Sequence, residues 1–413
     1  MKSRKPALAF IFITLVLDVL GIGLIVPILP GLVDHLRGGD AAAGAYTYGL
    51  VLGVYALMQF LFSPIIGALS DRFGRRKVIL VSLLGAGLDY FLMAWAPHLI
   101  WFFIGRIIAG ITGANISAAS AYIADVSPPE KRAANFGLIG AAFGIGFAVG
   151  PAFGGWLAEH GINRFGEVGI RLPFVVAGIL TLVNWLYGLL VLPESLKPEN
   201  RREFSLAKSN PFTSLVELRR YPLVQGLAGT YLILSLGHQV FPAIWALYTE
   251  YRFDWNPRAI GNSLTMVGVM AIIVQGGLAR KLIPWLGERK AAVFGTIVSI
   301  AGFIAYALVP AAWMIYIIIF FGSLGGIATP AIQGLVSRTV GDDEQGGIQG
   351  SFASLQSVAG FLGPILMTAI YGFFISGRVS VEIPGAAFFA AALLSVLGLI
   401  LMRISFRKVP DTL

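Results

Sequence analysis

Long apolar runs alternate with short polar segments along the whole chain. A helix needs about 20 apolar residues to cross the hydrocarbon core of a bilayer. Runs of that length recur here without the ten-residue alternation of membrane-spanning strands. The pattern therefore predicts an all-α membrane protein with twelve transmembrane helices. We place these spans near residues 8–30, 46–69, 79–97, 99–124, 134–158, 173–193, 222–248, 259–279, 291–310, 313–336, 347–374 and 385–402.

The longest polar stretch, residues 194–221, divides the chain in the middle and is the predicted cytoplasmic linker. The two sides resemble each other at a constant spacing of 213 residues. We therefore predict two pseudo-symmetric six-helix bundles, 1–193 and 222–413, an architecture associated with secondary transport. The repeated residues are Gly137, Gly150 and Pro151 in the first half and Gly350, Gly363 and Pro364 in the second.

The composition excludes a soluble protein, since 57% of residues are hydrophobic, 12% are charged and the mean hydropathy is +0.80. The net charge of +9 comes from Lys and Arg in alternate loops. That distribution predicts cytoplasmic termini. It also explains the positive net charge by membrane topology, so we expect no nucleic-acid partner. The chain has no cysteine, which excludes disulfides and thiolate chemistry. The first apolar run lacks a cleavage site and is expected to remain as a span.

A short charged segment, GALSDRFGRRKV, separates the second and third apolar runs. Gly67 and Gly74 permit close approach or positive φ, Asp71 can lie beside the preceding helix end, and Arg72 and Arg75 supply donors. A topology signal alone would need only the cations. The segment therefore predicts a tight cytoplasmic hinge between two membrane spans. A degenerate second copy, GLARKLIPWLGERK, keeps the glycines and cations but has lost the aspartate.

Four ionisable residues fall inside the predicted spans: Asp18, Asp89, Arg106 and His238. A charge at membrane depth costs about 2.5–3.5 kcal/mol on insertion scales unless it is paired, hydrated or protonated. One reading is that the two acids bind and release a proton as access to the site changes. The other reading is a packing salt bridge from either acid to Arg106.

A water-filled substrate cavity is predicted from polar and aromatic residues at membrane depth. His238 could bind substrate or relay a proton, or it could be a satisfied interior residue. Hydrogen bonds between helices explain the amide side chains equally well. The candidate cavity residues are Asn115, His238, Gln239, Phe241, Trp245, Gln275, Gln333 and Gln356.

Glycine recurs along the fifth span, which ends in GPAFGG. Small residues at this spacing give a flat face for close helix packing, and a proline bends the helix. The residues assigned to helix packing are Gly146, Gly150, Pro151, Gly154 and Gly155.

The motifs GALSDRFGRRKV, IGRIIAGITGA and GIGFAVGPAFGG resemble the signature set of the major facilitator superfamily, and the last is typical of its drug:proton antiporters. The stretches LDVLGIGLIVPILP, YALMQFLFSPIIGALSDRFGRR, LDYFLMAW, YTEYRFDWN and ATPAIQG are similar to the bacterial tetracycline exporters. The resemblance implies the major facilitator fold, a bacterial inner membrane and a link to antibiotic resistance.

The resemblance also implies roles for particular residues. Asp71 and Arg75, with Asp125 at the inner end of span 4, would form a cytoplasmic gate that closes the outward-facing state. Asp18, Asp89 and Arg106 match positions important for transport in that family.

The second half departs from the family pattern at two positions. Aligning on Gln275 and Gly295 puts Ala271 and Ser299 where the tetracycline exporters have a histidine and an aspartate. Proton coupling would then rest on the acids of the first half, helped by His238.

The expected function is proton-coupled export of amphipathic small molecules or drugs by alternating access. The alternative is a transporter of a native metabolite such as a sugar or peptide. An intramembrane enzyme would need a catalytic cluster, whereas the four histidines are scattered. We expect a monomer whose partners are a small-molecule substrate, protons and membrane lipids, with no cofactor and no metal.

Overall fold

The computed structural model describes residues 5–113, 115–196, 198–201, 222–339 and 345–407. Regular structure throughout these ranges is helical, which confirms the predicted all-α class. Most of the predicted linker, residues 202–221, lies outside the described residues.

The described residues before the linker form eight helices, and two short 3₁₀ segments, Gly166–Arg171 and Pro198–Asn200, follow the seventh and eighth. The first predicted span ends earlier than expected, because Pro27 cannot donate a backbone hydrogen bond and disfavours helix at the residue before it. The helices are α1 Lys5–Ile25, α2 Leu29–Leu36, α3 Ala41–Phe73, α4 Arg75–Trp95, α5 Leu99–Gly113, α6 Asn115–Val126, α7 Pro129–Phe165 and α8 Leu172–Val191.

Residues 222–339 and 345–407, the described part that follows, form nine helices with two irregular segments inside spans. A π-helix, Ile272–Leu278, interrupts the eighth span at a glycine pair, and a 3₁₀ segment, Ser323–Ile327, interrupts the tenth at another. The helices are α9 Pro222–His238, α10 Val240–Phe253, α11 Pro257–Ala271, α12 Ala279–Leu286, α13 Glu288–Leu308, α14 Met314–Gly322, α15 Ala328–Thr339, α16 Gln345–Ile375 and α17 Ala386–Arg407.

The described helices account for all twelve predicted spans. Eleven described stretches are long and apolar enough to cross a membrane. One of them, Asn135–Val191, holds both α7 and α8. At about 1.5 Å per residue its 57 residues are long enough for two crossings.

The backbone groups into two compact units. Unit 1 comprises Met1–Leu36, Val54–Asn210 and Trp255–Gly268. Unit 2 comprises Arg37–Gly53, Pro211–Asp254 and Val269–Leu413. The first part of α3 thus belongs to unit 2 and the first part of α11 to unit 1, while the predicted division at residues 194–221 stays a prediction.

Unit 1 depends on close backbone contact between α1 and α7. A Cβ added to Gly150 would lie 2.8 Å from the Cα of Gly23, and one added to Gly146 would lie 2.6 Å from the Val19 side chain. A Cβ on Gly154 would collide with the carbonyl of Leu24. The glycines at every fourth position of α7 therefore form the face on which α1 packs.

A second face of α7 contacts the first part of α11. A Cβ on Gly155 would meet the carbonyl of Pro257, and one on Gly261 would meet the carbonyl of Pro151. Beyond these contacts, Arg258 and Glu159 form an ion pair at 3.2 Å. Gly155 thus belongs to a different packing face from Gly146, Gly150 and Gly154, whereas Pro151 contacts both helices, because a Cβ on Gly23 of α1 would lie 3.2 Å from its Cδ.

Unit 2 has a core of aromatic rings contributed by α10, α13 and α17. Trp245 and Tyr306 meet edge to face at 5.3 Å between ring centroids, and Tyr306 and Phe388 lie 5.4 Å apart. The hydroxyl of Tyr248 donates to the Tyr306 carbonyl at 2.7 Å. Aromatic contacts and a satisfied buried hydroxyl together fix these three helices to one another.

The α1–α7 contact predicts an effect of Gly150→Ala. The added methyl would overlap the Gly23 backbone, so we expect the free energy of unfolding to fall by about 1–3 kcal/mol. Thermal unfolding in detergent measures the change. Gly137→Ala is the matched control, because Gly137 is exposed on the same helix and a Cβ there has nothing within 4 Å. Equal effects of both variants would contradict the proposed packing.

Candidate functional site

Unit 1 contains an acid and a base that are both enclosed within its helices. The side chain of Asp89, on α4, is 2% exposed, and that of Arg106, on α5, is 7% exposed. The Oδ2 of Asp89 and the Nη2 of Arg106 are 4.0 Å apart, which is an ionic contact but too long for a hydrogen bond. Gly105 makes room for the acid, since a Cβ there would lie 2.7 Å from the Asp89 Oδ1.

Arg106 contacts groups other than Asp89. Its Nη2 donates to the Sδ of Met93 at 2.7 Å, and its guanidinium lies 5.7 Å from the ring centroid of Tyr55. The Tyr55 hydroxyl accepts from the amide of Gln59 at 3.3 Å. The guanidinium is therefore held by a soft sulfur and an aromatic face, both weaker partners than a carboxylate.

Asp18, on α1, lies within electrostatic range of this pair. Its carboxylate interacts with the hydroxyls of Tyr55 and Tyr90, and both hydroxyls also interact with Arg106. Gly21, on the next turn of α1, admits Tyr90, because a Cβ there would lie 3.2 Å from the Tyr90 hydroxyl. The structure thus brings together three of the four residues predicted for proton coupling.

This arrangement can hold an exchangeable proton. The Oδ1 of Asp89 and the Nε of Arg106 are buried and have no hydrogen-bond partner among the described residues. A buried charge is costly unless it is neutralised or hydrated. No direct hydrogen bond fixes Asp89 in its ionised form, which is compatible with the role in proton exchange predicted for this carboxyl.

The predicted cytoplasmic gate is centred on Arg75, the first residue of α4. Its guanidinium forms an ion pair with Asp71, donates to the Ser70 hydroxyl at 2.6 Å and donates to the Asp125 Oδ2 at 3.3 Å. Gly74 precedes it with a φ of 100°. One buried guanidinium therefore joins the inner ends of α3, α4 and α6.

The two remaining predicted gate residues lie away from this guanidinium. Gly67 is in ordinary contact with Ser117, whose Oγ would be 3.8 Å from an added Cβ. Arg72 is exposed and lies over the ring of Phe73 at 5.2 Å.

The end of α8 contributes gate residues that sequence reasoning missed. The Oε1 of Glu194 accepts from the backbone N–H of Arg75 at 2.9 Å. The hydroxyl of Ser195 donates to the same Asp125 oxygen at 2.8 Å. Gly74 has no side chain to cap α4, and a Cβ there would collide with this carboxylate. Glu194, in the segment that follows α8, supplies the cap instead. No sequence motif indicated these two residues, which lie shortly after the end of α8.

His238 lies in unit 2 and is half-buried. Its Nδ1 is 2.9 Å from the Leu234 carbonyl, and its ring is 5.4 Å from that of Phe303. Phe241 lies 5.8 Å from Trp245 and 5.6 Å from Phe303. The histidine and the two predicted cavity aromatics therefore form one cluster, separate from the acids of unit 1.

The predicted cavity amides have different neighbours. Gln239 precedes α10 and packs against Gly363, whereas Gln356 accepts from the Tyr231 hydroxyl at 3.1 Å. Gln275 lies in the π-helix beside Gly326, and Gln333 is half-buried on α15. The side chain of Asn115 lies outside the described residues.

The two positions that depart from the exporter pattern carry no charge. Ala271 ends α11 immediately before the π-helix. Ser299 is buried on α13, and its hydroxyl occupies the space where Gly325 has no side chain. Among the described residues, no three His, Cys, Asp or Glu side chains are grouped to hold a metal ion.

Comparisons with known proteins agree with this geometry. The model of a family described as the Major Facilitator Superfamily matches residues 11–364 and 286–412. Tetracycline resistance protein, class C, of Escherichia coli is 42% identical over 371 residues, which cover 90% of this chain and 91% of that protein. Multidrug resistance protein 2 of Bacillus subtilis (strain 168) is 28% identical over 375 residues, covering 89% and 90%.

Solved structures show the same fold. A bacterial homologue of the human lysosomal transporter Spinster, in an inward-facing and unoccupied conformation, aligns over 99% of this chain and 98% of its own, with a TM-score of 0.81 and 17% sequence identity. We conclude from the family match, the resistance-protein relatives and this fold that the chain belongs to the major facilitator superfamily.

Proposed function

We propose that this protein is a proton-coupled antiporter that exports amphipathic drugs by alternating access. The observation that carries the proposal is Asp89, a carboxyl enclosed in a membrane span 4.0 Å from Arg106 without a direct hydrogen bond to it. Such a group can change its protonation as access to water alternates between the two sides of the membrane. Export is driven when proton release and substrate release occur in different states.

The relatives support export as the direction of transport. Their names assign them to tetracycline and multidrug resistance. Resistance by transport requires removal of the drug from the cell. The protein is therefore assigned to transport, and we propose that it has no enzymatic activity.

We propose an amphipathic, planar or cationic substrate. Within unit 2, the cluster of Phe241 and His238 offers ring faces and one polar edge, which suit a planar or cationic ligand. Tetracycline is one candidate of this class. Ala271 and Ser299 are uncharged where the tetracycline exporters have a histidine and an aspartate. Tetracycline is therefore to be tested beside other drugs.

The protein is a multi-pass protein of a bacterial inner membrane. We propose that both termini are cytoplasmic, because Lys and Arg concentrate in the loops that this orientation places inside. We further propose two functional halves, 1–193 and 222–413, and a monomer as the working unit. A single chain already contains both six-span repeats that alternating access requires.

The leading test is ligand-dependent proton release from purified protein. A panel of a tetracycline, a lipophilic cation and a sugar should give release with a drug and none with the sugar. We expect Asp89→Asn to reduce that release to background while the protein remains folded, because an amide cannot bind the exchanged proton. Asp18→Asn is measured in parallel to locate the second carboxyl.

Glu167→Gln is the control for Asp89→Asn, since Glu167 is an exposed acid outside the spans. Full coupled transport by Asp89→Asn would remove that carboxyl from the mechanism. Release with the sugar alone would move the assignment to a metabolite carrier.

The gate geometry predicts the effect of Asp71→Asn. Loss of the ion pair with Arg75 weakens the attachment of α3 to α4, and we expect the inward-facing population to rise by about twofold. Because the chain has no cysteine, spin labels can be placed at Gly137→Cys and Gly350→Cys, and their distance distribution measured. An unchanged distribution would exclude Asp71 from the gate.

A further inference from the structure

The inner ends of the two units repeat the same local design. Helix α4 begins at Arg75 and α13 begins at Glu288, 213 residues later, and both contain 21 residues. Each follows a glycine with positive φ, 100° at Gly74 and 78° at Gly287. The degenerate second copy of the charged segment therefore keeps the backbone geometry of the first.

The charges at equivalent positions are reversed. Arg75 pairs with Asp125 in unit 1, with 3.3 Å between Nε and Oδ2. The same spacing of 213 residues leads from these to Glu288 and Arg338 in unit 2, whose Oε1 and Nε are 3.1 Å apart. Both pairs join the first residue of one span to the inner end of the next span.

Glu288 depends on this partner because it is largely enclosed. Its side chain is 14% exposed, whereas that of Arg338 is 75% exposed. Gly334, one turn before Arg338, makes room for the carboxylate, since a Cβ there would lie 3.0 Å from its Oε1. A carboxylate in the first turn of a helix also interacts favourably with the helix dipole.

The reversal explains why the second copy lacks an aspartate. In unit 1, Asp71 near the end of α3 pairs with Arg75 across the break at Gly74. The residue equivalent to Asp71 is Pro284, within α12. An aspartate there would stand where Asp71 contacts Arg75 and would repel the carboxylate of Glu288. Reversal at residue 288 therefore removes the reason to keep an acid at residue 284.

We propose that Glu288 and Arg338 form a second inner latch, which holds the inner ends of α13 and α15 in unit 2 as Arg75 and Asp125 hold those of α4 and α6 in unit 1. Both are positioning residues, and their role rests on the proposed function because a latch matters only in a cycle of opening and closing. Both units have an ion pair at equivalent positions, and the acidic and basic residues exchange places between the units.

The test measures inner opening in ligand-free protein labelled at Gly137→Cys and Gly350→Cys. Glu288→Gln and Arg338→Gln should each change the ratio of open to closed inner distances by about two- to fivefold. Arg338→Gln should have the larger effect, since it leaves the enclosed carboxylate unpaired. Exchanging the charges, Glu288→Arg with Arg338→Glu, should return the ratio towards that of the parent, because it restores the pair.

Two further variants separate a latch from loop charge and from stability. Lys290→Gln changes the charge of the same segment at an exposed residue and should leave the ratio unchanged. Arg338→Lys keeps the positive charge and should stay near the parent. Any of four results would overturn the proposal. The ratio of open to closed distances could stay unchanged in both single variants, or the charge exchange could show the sum of their effects. The variants could lower only the thermal midpoint, or Lys290→Gln could shift the ratio equally.

The distance measurement does not require transport. If the variants shift the distances as expected but drugs release no protons, the latch proposal stands and the proposed function fails. If drugs release protons but the variants do not shift the distances, the proposed function stands and the latch proposal fails.

Discussion

The cost of placing charge in hydrocarbon is the constraint on which unit 1 is organised. Asp89 and Arg106 are tolerated because each is enclosed and close to the other, with 4.0 Å between them. Gly105 lies opposite Asp89, and because it has no side chain the carboxyl can approach α5. Ionisation of the Asp89 carboxyl costs less free energy when water hydrates it than when water is excluded. In the cycle we propose, the protonation of Asp89 and the access of water to it are linked in this way.

Glycine contacts supply the rigid support that this site requires. Gly150 allows α1, which carries Asp18, to touch α7, and Gly154 continues the contact one turn further. In a membrane, such close packing replaces the hydrophobic effect as a source of helix association. Gly155 instead faces α11, and Pro151 contacts both helices. One glycine-rich helix thus presents two faces, so a change at neighbouring positions affects different contacts.

Much of the fold and part of the site could be predicted from the sequence. Apolar runs gave the spans because the bilayer sets their length, and Asp89 was found because ionised groups are rare at that depth. The early end of α1 needed attention to Pro27 within an apolar run. Glu194 could not be found this way, because its partner Arg75 is distant in sequence and its position depends on where α8 ends. His238 was grouped with the acids by chemistry, whereas packing places it among the rings of unit 2.

The two inner ion pairs indicate what an internal repeat retains. By residue identity, Arg75 and Glu288 are unrelated, and so are Asp125 and Arg338. Comparing them by interaction makes both pairs equivalent, since each holds a helix that starts after a glycine of positive φ. Coulomb attraction is unchanged when both signs are exchanged, whereas a single exchange leaves two like charges in contact. The reversal must therefore involve both members of a pair, and neighbours such as Pro284 then follow the new sign.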